Sequence, residues 1–347
     1  MKENIRNLTK KELNEAMEAM GEKAFRAKQV YEWLHVKLAR STEEMTNVSK
    51  ALRAKLDENY NCDGMKIVEV QSSQIDSTKK FLLGLPDGNV IESVWMKYRD
   101  WNSVCISSQV GCKMGCRFCA STLDGCVRSL TAGEMLDEVY TIQRYTGERV
   151  SNIVVMGSGE PMDNYDNIVK FVHMISNEDG LHISQRNLTV STCGIVPKMY
   201  DLAEEHLEIT LALSLHAPTD EKRRVLMPIA NKYSLKEVIG ACKNYFDKTG
   251  RRITFEYALV AGNNDTDEDA AELSALIGDL NCHVNLIPVN PIKERDFKRS
   301  NLKAITRFKN KLEKNRINVT IRREMGSDID GACGQLRRKH MEENSGC

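Results

Sequence analysis

Three closely spaced cysteines are the part of this sequence best suited to chemistry. Cys112, Cys116 and Cys119 form a Cys-x-x-x-Cys-x-x-Cys loop soon after the β-branched run SVCISSQ, residues 103–109. Thiolates are soft ligands that suit iron–sulfur clusters, and three without a fourth nearby leave one cluster iron open to another molecule. A zinc site would require a fourth cysteine or histidine, and unligated core cysteines are the remaining alternative. The spacing favours an iron–sulfur cluster.

Two other segments offer groups for binding or catalysis. The run GSGEP, residues 157–161, follows the apolar run NIVVM; its glycines would let the backbone approach a ligand, and Glu160 would offer a carboxylate to an ammonium group. An ordinary strand-to-helix turn is the alternative for that run. Cys333 lies between glycines in DGACG, which suits a thiolate that must reach two partners, whereas a single loop cysteine is more often incidental.

The hydrophobic pattern from Asn102 onward predicts the framework that would hold these side chains. Six β-branched runs alternate with amphipathic helical stretches, and INVTIRRE closes the series. This alternation predicts an α/β fold with a parallel sheet, and the absence of Gly-x-Gly-x-x-Gly after the first strand favours a curved, barrel-like sheet over a Rossmann sheet. Ligands are expected at the carboxyl ends of the strands. The runs are SVCISSQ, NIVVMG, NLTVSTC, EITLALSL, RITFEYALV and HVNLIPV.

The chain divides into three predicted units. Residues 1–62 have the pattern of short helices and form a predicted N-terminal helical accessory domain. Residues 63–98 have a strand-like period with the turn PDGN at 86–89, which predicts a β-hairpin unit. Residues 99–347 hold the predicted barrel and the loop that contains Cys333.

Composition and charge restrict the class of protein. The chain has 347 residues, 41% of them hydrophobic and 28% charged, and lacks the long apolar run of a membrane span, so we expect a folded, cytoplasmic protein. Disulfides are rare in the cytoplasm, and the 11 cysteines therefore suggest metal binding or thiol chemistry. Basic and acidic residues balance at 49 each, yet residues 290–347 hold 15 basic against eight acidic side chains. That excess either faces an anion or forms solvated helix faces.

The cysteine loop and its surroundings resemble the radical S-adenosylmethionine (SAM) superfamily. There, a Cys-x-x-x-Cys-x-aromatic-Cys loop, here with Phe118 as the aromatic residue, follows the first barrel strand. From about Val90 to Leu336, several segments are similar to the RlmN/Cfr family of RNA adenine methyltransferases. The resemblance implies a radical SAM partial (β/α)6 barrel with the N-terminal helical domain and the β-hairpin as extensions. The segments are VIESVWM, SVCISSQVGC, CRFCAST, VVMGSGEP, SLHAPTDEKRRVLMPI, VNLIPVNP and DIDGACGQL.

The resemblance also implies two cofactors and the residues that hold them. Cys112, Cys116 and Cys119 would ligate one 4Fe-4S cluster, whose open iron would chelate the amino and carboxylate groups of SAM. For Ser191 or His216 taken singly, a structural hydrogen bond is the simpler interpretation, but their common end of the sheet favours ligand binding. The full set expected to bind SAM is Gly159, Glu160, Ser191, Ser214, Leu215, His216 and Asn290.

Family resemblance assigns catalytic roles to three further residues. Cys333 would take a methyl group from a first SAM, and a radical derived from a second SAM would abstract hydrogen from it, leading to a covalent protein–RNA adduct. Cys105 would resolve that adduct and end in a transient disulfide with Cys333. The alternative is a buried strand cysteine, since Val104 and Ile106 have the opposite parity and could face the core. Glu92 matches the family's proton acceptor, although a solvated strand glutamate is the default.

The implied activity is methylation of adenosine at C2 in 23S rRNA, at the peptidyl transferase centre, and in tRNA beside the anticodon. A monomer with a flavodoxin- or ferredoxin-type electron donor is expected, acting on a base splayed out of a single-stranded loop. Five basic runs are candidates for phosphate contacts, and two or three of them are expected to be ordinary surface. They are Lys222–Arg223–Arg224, Arg251–Arg252, Lys298–Arg299, Arg322–Arg323 and Arg337–Arg338–Lys339–His340.

Three alternatives stay open at this stage. The first is the C8-specific adenosine methyltransferase of the Cfr branch, which would use the same cysteines and confer ribosomal antibiotic resistance. The second is an iron–sulfur RNA-binding or assembly factor without turnover. The third is a radical enzyme that installs a glycyl radical on a protein, for which a paired Cys105 and Cys333 would have no use.

Overall fold

The N-terminal part of the molecule is helical. The structure is a computed structural model that describes residues 2–289, 296–330 and 334–344. Its first three helices are α1 (Lys10–Ala19), α2 (Ala24–His35) and α3 (Lys50–Asn59). Apolar side chains at helical spacing pack into a hydrophobic cluster of their own, which includes Leu13, Met17, Val30, Leu34 and Leu52.

Three antiparallel strands follow the helices. They are β1 (Lys66–Ser72), β2 (Lys79–Gly84) and β3 (Val90–Lys97). The turn between β2 and β3 falls on the expected residues, where Gly88 has a φ of 84° that favours glycine. β3 then pairs with β4 (Asn102–Ile106), which joins these strands to the rest of the sheet.

The sheet continues as seven parallel strands. After β4 come β7 (Asn152–Val155), β8 (Leu188–Thr192), β9 (Thr210–Ser214), β10 (Ile253–Leu259), β11 (Cys282–Pro288) and β12 (Asn318–Ile321). The spatial order is β1-β2-β3-β4-β7-β8-β9-β10-β11-β12, so β1 and β12 are the two edges of an open sheet in the described chain. The α/β fold with a parallel sheet, expected from the sequence, is confirmed.

Helices connect the parallel strands. Capping boxes mark where some of them begin: the Thr131 hydroxyl accepts from the backbone N of Glu134, and the Glu134 carboxylate accepts from the backbone N of Thr131. No helix of the described residues is long and apolar enough to cross a bilayer. The helices are α4 (Ala132–Thr146), α5 (Tyr165–Ser176), α6 (Val196–Glu204), α7 (Asp220–Leu226), α8 (Leu235–Thr249), α9 (Asp267–Ile277), α10 (Leu302–Lys314) and α11 (Gln335–Asn344).

A small second sheet was not expected from the sequence. The first predicted barrel strand, residues 103–109, is shorter than predicted, because β4 ends at Ile106 and the backbone N of Ser107 donates to the Glu138 carboxylate instead of a neighbouring strand. The chain then forms β5 (Gln109–Gly111), which pairs antiparallel with β6 (Cys126–Ser129). The two strands bracket the loop of three cysteines.

Candidate active site

A cavity of about 490 Å³ lies at the carboxyl ends of the parallel strands. Its wall contains most of the site residues expected from the sequence. Leu215 and Glu92 are buried outside this wall, and Asn290 and Cys333 lie outside the described residues. The expected residues on the wall are Cys105, Cys112, Cys116, Cys119, Gly159, Glu160, Ser191, Ser214 and His216.

Backbone hydrogen bonds fix the loop of three cysteines at two points. The backbone N of Cys112, directly after β5, donates to the Gly125 carbonyl just before β6 (2.8 Å). Farther along the loop, the backbone N of Arg117 donates to the Leu226 carbonyl at the end of α7 (2.9 Å). These backbone hydrogen bonds therefore set the shape of the loop and hold it against the end of α7.

The three thiols suit a cluster of iron ions. Cys112 and Cys116 are 6% and 9% exposed, and burial raises the pKa of the Cys112 thiol to about 12 and also raises that of Cys116. Bare thiols here would stay protonated at neutral pH, whereas bound iron would supply the positive charge that a thiolate needs. No three Cys, His, Asp or Glu side chains of the described residues converge as they would around a single ion. A four-iron cluster is larger than one ion, so three thiols spread over one cavity wall fit it.

Glu160 is held rigidly at the cavity wall. It follows β7, and its carboxylate accepts from the Thr192 hydroxyl (2.7 Å) and from the backbone N atoms of Cys193 (2.7 Å) and Met162 (3.0 Å). Burial raises its pKa, and these donors act in the opposite direction. The Cys193 thiol also bonds to this carboxylate, so the protein's own donors engage most of its roughly four lone-pair sites. What Glu160 offers a ligand's ammonium group is its negative charge.

The glycines beside Glu160 serve packing inside the protein. A Cβ at Gly157 would lie 2.7 Å from the Ile106 carbonyl oxygen, and one at Gly159 would lie 2.6 Å from the Ser108 hydroxyl. Both glycines also line the cavity, so the expectation that they let the backbone approach a ligand stays a prediction. They let the segment after β7 pack against the segment after β4.

His216 is a neutral imidazole with a defined tautomer. Its Nδ1 accepts from the backbone N of Ala258 (2.9 Å), so the ring proton resides on Nε2. Burial, together with the charge of Arg223, lowers its pKa to about 3. The ring packs edge-to-face on Phe118, the aromatic residue of the cysteine loop, with centroids 4.6 Å apart. His216 can thus offer a hydrogen-bond donor to a ligand without carrying a charge.

The serines and Leu215 occupy the ends of β8 and β9. Ser191 and Ser214 line the cavity, and both are half-buried. Leu215 packs its side chain into the main hydrophobic core, its backbone N donates to the Glu256 carbonyl, and its own carbonyl accepts from the Arg223 guanidinium.

Cys105 projects from β4 toward the cavity. It lines the wall, whereas Val104 and Ile106 belong to the hydrophobic core, as their opposite parity predicts. The cysteines among the described residues form no disulfide, so the structure gives no support to the expected transient bond with Cys333.

Glu92 is neither solvated nor on the cavity wall. It forms an ion pair with Lys80 (3.1 Å) in which the two side chains are 5% and 0% exposed. Its two oxygens also accept from the backbone N atoms of Gly334 and Arg337, both at 2.6 Å, at the start of α11. Glu92 thus anchors the chain immediately after Cys333.

The chain is held on the other side of residues 331–333 as well. The Lys80 ammonium donates to the Asp330 carbonyl, and the Gln71 side chain both donates to the Asp330 carboxylate and accepts from its backbone N. Ile329 and Gln335, which flank this stretch, line the cavity. The β1–β3 strands therefore hold the C-terminal segment against the cavity.

Lys80 was missed by the sequence analysis, although a signal for it exists. The turn at 86–89 fixes the hairpin register, in which Lys80 faces Val94 and Leu82 faces Glu92. That register puts Lys80 and Glu92 on the same face as diagonal neighbours of opposite charge. The pair follows from the register of the hairpin.

The basic runs are corrected in part. Arg223 and Arg337 are buried and donate to backbone carbonyls, so neither can contact a phosphate. Arg251 and Arg252 precede β10 and therefore lie at the opposite end of the sheet from the cavity. Exposed arginines do line the cavity mouth, namely Arg299, Arg322 and Arg323.

Two sequence families match the chain. The family described as "Radical SAM superfamily" matches residues 106–276, and the one described as "Ribosomal RNA large subunit methyltransferase N-terminal domain" matches residues 3–61. Two relatives named "Probable dual-specificity RNA methyltransferase RlmN", from Lachnoclostridium phytofermentans and Lachnospira eligens, are 65% and 62% identical to it. Each match covers 98% of this chain, and 95% and 97% of the respective relative.

Solved structures agree with these matches. The crystal structure of a radical SAM methyltransferase from Sphaerobacter thermophilus is 41% identical, with a TM-score of 0.93 over 96% of this chain and 98% of that chain. SuiB from Streptococcus suis, 14% identical with a TM-score of 0.50 over 65% of this chain and 51% of that chain, shares the fold alone. The three-cysteine loop lies at the cavity formed by the carboxyl ends of a parallel α/β sheet, and relatives at 62–65% identity match nearly the whole chain. The chain therefore belongs to the RlmN family of radical SAM methyltransferases.

Proposed function

We propose that this protein methylates C2 of adenosine in 23S rRNA and in tRNA, with Cys333 as the methyl carrier. Relatives that match nearly the whole chain are named dual-specificity RNA methyltransferases. One observation carries the proposal: a single cavity is lined by the three-cysteine loop, by Cys105, and by Ile329 and Gln335 on either side of residues 331–333. This chemistry requires a thiol carrier close to the cysteine loop, and the chain on both sides of residues 331–333 reaches the same cavity.

The proposal assigns cofactor binding to the cavity wall. A 4Fe-4S cluster held by Cys112, Cys116 and Cys119 would supply the single electron that cleaves SAM. The negative charge of the Glu160 carboxylate at the cavity wall suits the SAM ammonium group, and Nε2–H of His216 suits an acceptor on the same molecule. Gly159, Ser191, Ser214, Leu215 and Asn290 complete the proposed SAM site.

Carbon chemistry explains why a protein thiol would be needed. The C2 carbon of adenine is too weakly nucleophilic to displace a methyl group from a sulfonium ion. Cys333 would therefore accept the methyl group first and present it as a thioether, and Cys105 would release the methylated base from the resulting covalent adduct. Glu92 is proposed to accept a proton during this sequence, in addition to holding Gly334 and Arg337.

RNA binding completes the proposal. Residues 1–62 would form an accessory RNA-binding domain, since residues 3–61 match the N-terminal domain of rRNA methyltransferases. Arg322 and Arg323 at the cavity mouth suit phosphates next to a splayed-out base. A monomer in the cytoplasm, supplied by a low-potential flavodoxin- or ferredoxin-type donor, is part of the same proposal.

Product analysis tests the proposed function. The anaerobically reconstituted protein is incubated with SAM, a reductant and unmodified 23S rRNA fragment or tRNA, and the digested RNA is compared by mass spectrometry with C2 and C8 methyladenosine standards. We expect 2-methyladenosine from the wild type and none from Cys116→Ala. Cys282→Ala, at the start of β11, is the matched cysteine control and should retain the product. Only 8-methyladenosine would assign the protein to the Cfr branch, and no methylated base despite SAM cleavage would refute the RNA substrate.

A further inference from the structure

Arg223 is a buried cation without a carboxylate partner. It lies in α7 with 0% exposure, and its guanidinium donates through Nη2 to the carbonyls of Cys193 (2.7 Å) and Ser214 (3.3 Å) and through Nε to that of Leu215 (3.2 Å). Its Nη1 has no hydrogen-bond partner, and no acidic side chain of the described chain lies within ion-pair distance. Within the described residues, the hydrogen bonds of the guanidinium go only to backbone carbonyls, and Asp220 adds a favourable charge from beyond ion-pair distance.

Such a charge is expensive to bury. An arginine does not deprotonate in a protein, and an ionised group taken out of water without an opposite charge is strongly destabilising even after the surrounding structure relaxes. Asp220 and Glu221 are the acidic residues of the same helix; the Asp220 carboxylate accepts from the backbone N of Leu235, and Glu221 is exposed. Glu160 is bound to the backbone N of Cys193 rather than to Arg223. Asp220 acts favourably on Arg223 through space but forms no ion pair with it, so the described side chains supply no direct counter-ion.

The cysteine loop is the neighbour that could bring an anion. The Leu226 carbonyl, three residues after Arg223, accepts from the backbone N of Arg117, between Cys116 and Cys119. Cys116, Cys193 and Leu226 belong to one buried apolar cluster. Burial lowers the pKa of Arg223, and the adjacent thiols of Cys193 and Cys116 act in the opposite direction. A group held by the loop would therefore lie in the field of the guanidinium.

We propose that Arg223 is the electrostatic partner of the anionic metal centre that Cys112, Cys116 and Cys119 hold. Three thiolates give such a centre net negative charge, which increases by one when it is reduced. A fixed, desolvated cation beside it stabilises the reduced form most. Arg223 also joins the ends of β8 and β9 through its three carbonyl contacts, so it is a positioning residue rather than a catalytic one. This inference rests on the proposed iron–sulfur cluster.

Potentiometry of the cluster tests the charge. Arg223→Met should shift the reduction potential of the reconstituted cluster to more negative values, because the reduced state loses its counter-charge. A tenfold decrease in the equilibrium constant for one-electron reduction corresponds to about 59 mV, and we expect a shift of about that size or larger. EPR of the reduced cluster monitors the titration. Arg223→Lys should retain most of the wild-type potential. Arg224→Met, exposed on the same helix, is the matched control and should leave the potential unchanged.

Thermal unfolding provides a second readout that does not depend on activity. In the wild type, loading the cluster should raise Tm by more than it does in Arg223→Met, because the cluster relieves the unpaired charge only when that charge is present. An equal increase in both, or an unshifted potential in a loaded Arg223→Met protein, would overturn the inference. If Arg223→Met takes up no cluster, uptake by Arg223→Lys supports a charge role, and loss of uptake in both variants refutes it. Iron and sulfide content of the wild type, measured separately, shows whether the proposed cluster itself is at fault.

Discussion

The buried ion pair between Glu92 and Lys80 also holds the C-terminal segment in place. The pair lies between β2 and β3, yet its remaining hydrogen bonds go to Asp330, Gly334 and Arg337 on both sides of residues 331–333. A buried ion pair contributes little net stability compared with an apolar pair, but removing one partner leaves an uncompensated charge. The pair therefore fixes where the C-terminal segment meets the sheet.

A double-mutant cycle separates the anchoring role of Glu92 from its proposed proton chemistry. Lys80→Met should reduce the free energy of unfolding by about 3–5 kcal/mol, because it leaves the Glu92 carboxylate buried without a cation. Adding Glu92→Gln should recover part of that loss, as measured by urea denaturation. Methylation should stay absent in the stabilised double variant. Recovery of methylation together with stability would mean that Glu92 is an anchor only.

At the scale of elements, the small β5–β6 sheet positions the cysteine loop. Gly111 has a φ of 79° and lies against the backbone of Gly125, so that even a Cβ would collide with the Gly125 carbonyl. The backbone N of Cys112 bonds to that same carbonyl. The first cysteine of the loop is thus placed by a close contact between two backbone segments.

Gly111→Ala should release this contact and lower the iron bound after reconstitution to well below half of the wild-type amount. Gly147→Ala is a matched control, because Gly147 has a φ of 69° but its Cβ would meet open space. That control should cost about 1–2 kcal/mol of stability from backbone strain and keep full iron content. Iron content that is equal in the two variants would contradict the role given to the β5–β6 sheet.

The sequence predicted elements better than it predicted contacts. Alternating runs located β4 and the later parallel strands, and the turn at 86–89 gave the hairpin. Arg223 was one of the candidates for a phosphate contact, because a run of basic residues does not reveal that one of them points inward from α7. The packing role of the glycines at 157 and 159 was missed, since the segments that they touch lie at the end of β4 and just after it, about 50 residues earlier in the chain. Long-range packing of this kind has no local signature.

At the scale of the whole molecule, the N-terminal helices are joined to the sheet by buried polar contacts with α4. Arg6 pairs with Asp137 (3.0 Å), and Nδ1 of His35 hydrogen-bonds to the Tyr140 hydroxyl (2.8 Å). Burial, reinforced by the charge of Arg6, lowers the pKa of His35 from 6.5 to about 3. His35 is therefore neutral in the folded protein over a range where the unfolded chain binds a proton.

Stability should accordingly decrease on acidification. Below the unfolded-state pKa of 6.5 and down to about 3, the unfolded chain binds one more proton at His35 than the folded one does, which lowers the free energy of unfolding by about 1.4 kcal/mol per pH unit. His216 adds an equal slope for the same reason. Urea denaturation at pH 7.0 and at about pH 5 measures the sum. His35→Gln should lose one of the two contributions, and an unchanged slope in that variant would show that His35 does not titrate as described.

Trapping the covalent intermediate tests the central claim most directly, because it requires both an RNA substrate and a thiol carrier in the cavity. Cys105→Ala protein is incubated anaerobically with SAM, a reductant and the RNA fragment, and the digested products are examined by mass spectrometry. The account predicts an adenosine attached through a carbon bridge to Cys333, absent in Cys333→Ala and in the wild type after complete reaction. Unmodified Cys333 and wholly free RNA, in a sample that holds an intact cluster and cleaves SAM, would contradict it.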